Sequence, residues 1–266
     1  MAQFFHALSI WERENRDFVL ATVIDTGGST PRQTGTQIAI RIQNGQVQTI
    51  GTVGGGAFEK FVIDSAITLL SQVKEKNKTI EIHLTQQLAM CCGGKMTAFL
   101  NKITAKPRII IAGAGHVGSA IAQICQVLEY PILLIDDRKE WANPSRFANI
   151  PSDLMTIKCE NIEEELQINP PLPQDYIIIT THDHALDERL IALLAPQKLP
   201  YLGLIGSQHK WLKFKKRLMA IGIDESDLDR VHCPVGLKIS AQTPAEIAVS
   251  ILAQMIQIFQ TNRDQQ

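Results

Sequence analysis

Between Arg108 and Ile205 five short strand-like runs recur, Arg108–Ala112, Ile132–Asp136, Met155–Cys159, Tyr176–Thr180 and Tyr201–Ile205, several of them continuously apolar, with helical stretches between them. A strand that is apolar at successive positions, instead of at every second one, is covered on both faces. Alternation of such strands with helices is the pattern of a doubly wound parallel sheet. This half of the chain is therefore restricted to an α/β architecture whose ligands bind beyond the carboxyl ends of the strands.

The first half reads differently. Phe5, Leu8 and Trp11 recur at helical spacing, and Phe18 to Ile24 then switches to a β-rich run. Thr26 to Arg32 is a turn cluster, Gln37–Ile42 and Gln46–Thr52 read as strands, and Asn44-Gly45 between them is a hairpin signal. Gly54-Gly55-Gly56 precedes a helical stretch over Ala57–Leu70. The expected organisation is an α+β domain over 1–105 and a doubly wound parallel domain over 106–266, joined in the basic, proline-containing stretch Lys102–Arg108. Pro244 to Phe259 reads as a last helix, with Pro at its first position after Thr243.

Twenty-six basic against 27 acidic residues leave a net charge of -1, so there is no bulk attraction to nucleic acid or anionic lipid. The start of the chain has no cationic leader and meets Glu12 and Glu14 early, which fits neither a signal peptide nor a spanning segment. Five cysteines, an odd number without framework spacing in a long chain, fit a reducing compartment and a cytoplasmic location.

Candidate binding residues fall into five groups. Cys91-Cys92-Gly93-Gly94, followed by Lys95, offers soft thiolate ligands beside exposed amides; Cys92, next to the glycines, is the candidate metal-facing sulfur. Ser29 and Arg32 supply a hydroxyl and a guanidinium, and Gly54, Gly55 and Gly56 form a backbone-amide nest with Glu59 in the first turn behind it. Gly113, Gly115, His116 and Gly118 make a glycine fingerprint between strand and helix, with Asp136 closing the next strand, as dinucleotide-type phosphate binding requires. His182 and His184 follow a strand end, where Thr181 or Asp183 also suits a helix cap. Ser207 and Lys210 open a basic helix whose Lys213, Lys216 and Arg217 read as a solvated face. Cys125, Cys159 and Cys233 read as packing residues.

Taken in order, Thr26 to Gly35, Gly51 to Glu59, Cys91 to Gly94, Gly113 to Gly118, Thr181 to Asp187 and Gly203 to Ser207 closely resemble the XdhC/CoxI family of xanthine dehydrogenase accessory proteins. The resemblance implies a non-catalytic chaperone with a Rossmann-like second domain. It would bind the molybdopterin form of the molybdenum cofactor in a cleft between the domains, with Cys92 at the metal. It would shield the cofactor while a cysteine desulfurase supplies sulfur, and pass it to the molybdenum-binding subunit of xanthine dehydrogenase. A homodimer is expected, and the Rossmann-like domain is a candidate for a nucleotide as well. Two other readings compete. One is an NAD(P)-dependent oxidoreductase with Asp136 or Asp137 on the ribose and His182 or His184 as acid-base group; the other is a nucleotide-sensing regulator whose Cys91 and Cys92 report redox state.

Overall fold

The computed structural model describes residues 2–28, 30, 32–54, 56–72, 75–83 and 94–265. The chain divides into two compact units, one of residues 1–106 with 263–266 and the other over 107–262.

Among the described residues the first unit is an antiparallel five-stranded sheet with a helix on each face. Its elements are α1 (Ala2–Arg13), β1 (Phe18–Gly27), β2 (Gln37–Gln43), β3 (Gln46–Gly51), α2 (Gly56–Ser71), β4 (Asn77–His83) and β5 (Lys95–Ile103), and the strand order is β3-β2-β1-β5-β4. Side chains alternate along β1. Val19, Ala21 and Val23 join Phe58, Val62, Ala66 and Leu69 of α2, while Phe18 and Leu20 pack with Trp11 of α1. The hairpin signal is realised: Asn44 and Gly45 both have positive φ, 53° and 75°, as a two-residue turn of the right twist needs.

The second unit is a parallel six-stranded sheet built from β6 (Ile109–Ala112), α3 (His116–Val127), β7 (Ile132–Ile135), β8 (Met155–Lys158), α4 (Ile162–Ile168), β9 (Tyr176–Ile179), α5 (His184–Leu194), β10 (Tyr201–Leu204), α6 (Gln208–Ala220), α7 (Glu225–Leu228), β11 (Val231–His232) and α8 (Pro244–Gln265). All five runs expected from the sequence are strands. The order β8-β7-β6-β9-β10-β11 starts at the centre, winds to one edge and then to the other, which makes it a doubly wound Rossmann-like sheet. One layer of core packs α5 and α6 against it through Leu190, Leu194, Trp211 and Phe214, and the opposite layer packs α3 and α8 through Ile121, Cys125, Ile251 and Met255. α8 is entered through a capping box: Thr243 Oγ1 accepts from the Glu246 amide (3.2 Å) and the Glu246 carboxylate accepts from the Thr243 amide (3.0 Å). Among the described residues no helix is long and apolar enough to cross a membrane.

Candidate functional site

Register brings the glycine-rich loops of the first unit to one end of its sheet. Gly27 and His83 both pair with Lys95, and Gly51 pairs with Ile38 at the start of β2. The loop after β1 with Arg32, the turn after β3 with Gly54, and both ends of the β4–β5 connection therefore share that end. Gly54 has φ +80°, and a Cβ there would lie 2.1 Å from Cγ of Arg32, so only glycine lets the arginine stem rest on this turn.

The amides of the turn serve an internal anion. The Glu59 carboxylate accepts from the amides of Val53 (3.1 Å) and Gly54 (3.3 Å) and from the Thr52 hydroxyl, and it complements the start of α2. Gly56 opens α2, and Gly94 is buried just before β5. Ser29, Gly55, Cys91, Cys92 and Gly93 lie outside the described residues, and with them the metal assignment to Cys92.

At the centre of the second sheet, where the winding reverses between β6 and β9, the three fingerprint glycines do different things. A Cβ on Gly113, at φ +111°, would lie 2.7 Å from the Thr180 carbonyl oxygen, and one on Gly118 would lie 2.0 Å from the Gly113 carbonyl. Both positions are dictated by the close packing of turn, helix and strand. Gly115 has nothing within 4 Å of its Cβ position, so its bareness serves no contact inside the chain. Asp136 is committed elsewhere. Its side chain is 2 % exposed; one oxygen accepts from the Ala114 amide (2.6 Å) and Nη2 of Arg138 (2.7 Å), the other from the amide (3.0 Å) and Nε (2.8 Å) of Arg138. Burial pushes this carboxyl's pKa up, but the Arg138 guanidinium and the two amides outweigh it and hold the group below its ordinary value. No oxygen of Asp136 is left over for a ribose.

Three side chains that the sequence did not single out support the turn. Arg146 donates to the carbonyls of Ala114 (3.0 Å) and Trp141 (2.7 Å) and to the Ser119 hydroxyl (2.9 Å). Trp141 lies under both Arg146 and Arg138, and His116 meets its ring edge-on at 5.1 Å.

Beyond the ends of β9 and β10 opens a pocket of about 500 Å³ lined by Thr181, His184, Ile205, Gly206, Ser207, His209, Lys210, Lys213, Phe214 and Arg217. It unites His184, Ser207 and Lys210 of the candidate residues; exposed His182 does not line it. Behind the wall, Asp187 organises the site with a side chain that is 2 % exposed. It accepts from the Thr181 hydroxyl (2.6 Å) and from Nζ of Lys210 (2.6 Å), and His184 Nδ1 stands 3.6 Å away. The Ser207 hydroxyl caps α6 by accepting from the Lys210 amide (3.2 Å), and Asp183 caps α5 in the same way through the Ala185 amide (2.8 Å).

Lys213 and Arg217 are exposed, as a solvated basic face requires, and with His209 they also line the pocket. Their spacing carries the signal: 209, 213 and 217 fall four apart on one stripe of α6, whereas Lys215 turns to Glu225 and Asp229. Cys159, expected to pack, is exposed. Burial pushes the thiols of Cys125 and Cys233 up to about 12 and about 11, which leaves them protonated and unreactive at neutral pH. Among the described residues no cluster of three His, Cys, Asp or Glu could hold a metal ion.

Comparison with known proteins agrees with this architecture. A family model described as the XdhC Rossmann domain matches residues 109–255, and one described as the XdhC and CoxI family matches residues 11–81. YqeB, an uncharacterized protein of Escherichia coli strain K12, is 32% identical over 249 residues, 93% of this chain and 44% of that protein. A Bacillus subtilis strain 168 protein, named as a probable subunit of xanthine dehydrogenase, is 33% identical over 159 residues, 60% of this chain and 45% of that one. The chain thus spans less than half the length of these curated relatives. The crystal structure of a protein described as a xanthine dehydrogenase from Bacillus halodurans superposes with a TM-score of 0.52 at 18% identity, covering 97% of this chain and 96% of that one, a likeness of fold. With both units matched in sequence order, the chain belongs to the XdhC/CoxI family.

Proposed function

We propose that this protein is an accessory factor of a molybdenum hydroxylase of the xanthine dehydrogenase kind, a carrier that binds the molybdopterin form of the molybdenum cofactor without turning over a substrate. Working in the cytoplasm as a homodimer, it shields the cofactor while a cysteine desulfurase provides sulfur and then delivers it to the molybdenum-binding subunit. Family membership and the description of the Bacillus subtilis relative support the choice of client.

The observation that carries the reading is the register of the first sheet, by which Arg32, the Gly54 turn and both ends of the connection that holds Cys92 meet at one end. The chemistry fits the group. A pterin edge calls for planar donors such as a guanidinium, and a dithiolene-held metal calls for a thiolate. Because Glu59 already satisfies the amides of Val53 and Gly54, the phosphate of the carried molecule belongs on other donors.

The protein made in a host that synthesises molybdopterin should copurify with it, seen as pterin fluorescence after oxidation, and Cys92→Ala should lose that fluorescence. Protein that carries no pterin, together with a Cys92→Ala variant indistinguishable from it, rules the reading out.

A further inference from the structure

We propose that the pocket beyond β9 and β10 binds the phosphate of a phosphorylated small organic molecule, a site additional to the one assigned to the cysteine-glycine end of the first unit.

Its lining contains Lys210, Lys213, Arg217, His184 and His209 and, among the described residues, not one carboxylate. The acids that neutralise part of this charge stand outside the lining: Asp187 holds Lys210 from behind, and Glu188 holds Arg217 through two hydrogen bonds of 2.7 and 2.6 Å. Among the described residues Lys213 and His209 have no partner of their own. Because Asp187 takes one proton of the Lys210 ammonium, the remaining donors of that group are set before any ligand arrives.

The arrangement suits a phosphate more than a carboxylate. Basic side chains arrive from three successive turns of α6, at His209 and Lys210, at Lys213 and at Arg217, and the Ser207 hydroxyl approaches from the strand end. A planar carboxylate has two oxygens to offer them, whereas a phosphate monoester has three charged oxygens pointing in different directions. α6 has no acid in its own first turn, and Lys210 there is answered by Asp187 of α5, which leaves Lys213 as the cation without a carboxylate partner among the described residues. Ile205 and Phe214 add an apolar wall, and about 500 Å³ exceeds what an inorganic ion fills while lying within the range of small-molecule pockets.

Calorimetric titration of the full chain at low salt with pyrophosphate, ADP, neopterin monophosphate and adenosine tests this. Pyrophosphate and at least one of the two esters should bind saturably, and adenosine should not. Lys213→Ala should weaken pyrophosphate binding about tenfold, the loss of one charge-assisted contact. Lys216→Ala, on the same helix but outside the pocket, should leave it unchanged. ADP and neopterin monophosphate separate the two sources of the phosphate, the tighter one naming the class. Absence of saturable binding, equal weakening by Lys213→Ala and Lys216→Ala, loss of binding in Gly115→Ala with Lys213→Ala unaffected, or esters no tighter than pyrophosphate would each overturn the proposal. Since Cys92→Ala should not alter the pyrophosphate titration, this inference and the carrier function fail separately.

Discussion

Two glycine-rich turns, one in each unit, lead from a strand into a helix, and the acids that answer their amides come from different places. After β3 the Val53 and Gly54 amides serve Glu59, an acid in the first turn of the helix they precede. After β6 the helix α3 has no acid in its first turn; Asp136 from the neighbouring strand takes the Ala114 amide, and Gly115 faces open space. Glycines set amides free of steric cover, but an acid one turn downstream decides whether those amides answer to the chain or to a visitor. α6, likewise without an acid in its first turn, opens the basic pocket.

The largest effect expected from this contrast lies in the second unit, where charge is buried to support a binding surface. Lys210→Ala strands the Asp187 carboxylate, and urea unfolding should show a loss of about 3–5 kcal/mol. A loss under about 1 kcal/mol would mean that Thr181 alone satisfies Asp187.

In the first unit, Glu59→Gln removes the anion from its nest and should cost about 1.5–3 kcal/mol by the same measurement, since hydrogen bonds to a charged group are at stake. An unchanged midpoint would show that the nest does not depend on its own carboxylate, and the contrast between the two turns would go with it.

Acid should separate the units further. Burial lowers the pKa of His232, whose ring stacks on Tyr201 at 4.9 Å. The unfolded chain, with this group near 6.5, then binds the extra proton more readily than the folded one, so stability is lost as pH falls below about 6.5. Asp136, held below its ordinary 3.8, keeps its contribution above that value and loses it only as pH falls further, through its folded pKa. Thermal melts at pH 7 and pH 5 should therefore show a drop that His232→Phe, which keeps a stacked ring, abolishes. Persistence of the drop in that variant would assign it to another group.

The smallest effect belongs to Gly115→Ala. With nothing near its Cβ position and φ at -61°, the change should move stability by no more than about 0.5 kcal/mol, in contrast to Gly118, where a Cβ would strike the Gly113 carbonyl at 2.0 Å. A large loss at Gly115 would mean that the turn is bare for structural reasons.

Much of this fold was legible in the chain. Isoleucine-rich runs covered on both faces announce a parallel sheet wherever they occur, and Asn44-Gly45 fixes a hairpin by backbone conformation alone. β11 escapes notice because two residues, Val231 and His232, make no pattern; they are a strand only because β10 lies alongside. The strand order is a long-range property that local periodicity does not carry. At the sites, Asp136 reads as a ribose ligand because its position suits one, while Arg138, two residues on, takes both its oxygens. His184, Ser207 and Lys210 line one pocket because each follows a strand end, a position that can be read from the sequence. His209, Lys213 and Arg217 were hidden in a longer basic run, and only their fourfold spacing sets them apart from Lys215 and Lys216.

Trp141 gives the molecule a gauge of its own. An indole's emission depends on the charges held over its faces, and this one lies beneath two guanidiniums, one bonded to the Ala114 carbonyl of the glycine turn and the other to the Asp136 carboxylate that grips the Ala114 amide. Movement of either arginine would change the colour and yield of that light, so the state of the turn is written into the chain's own emission, alongside that of Trp11 and Trp211.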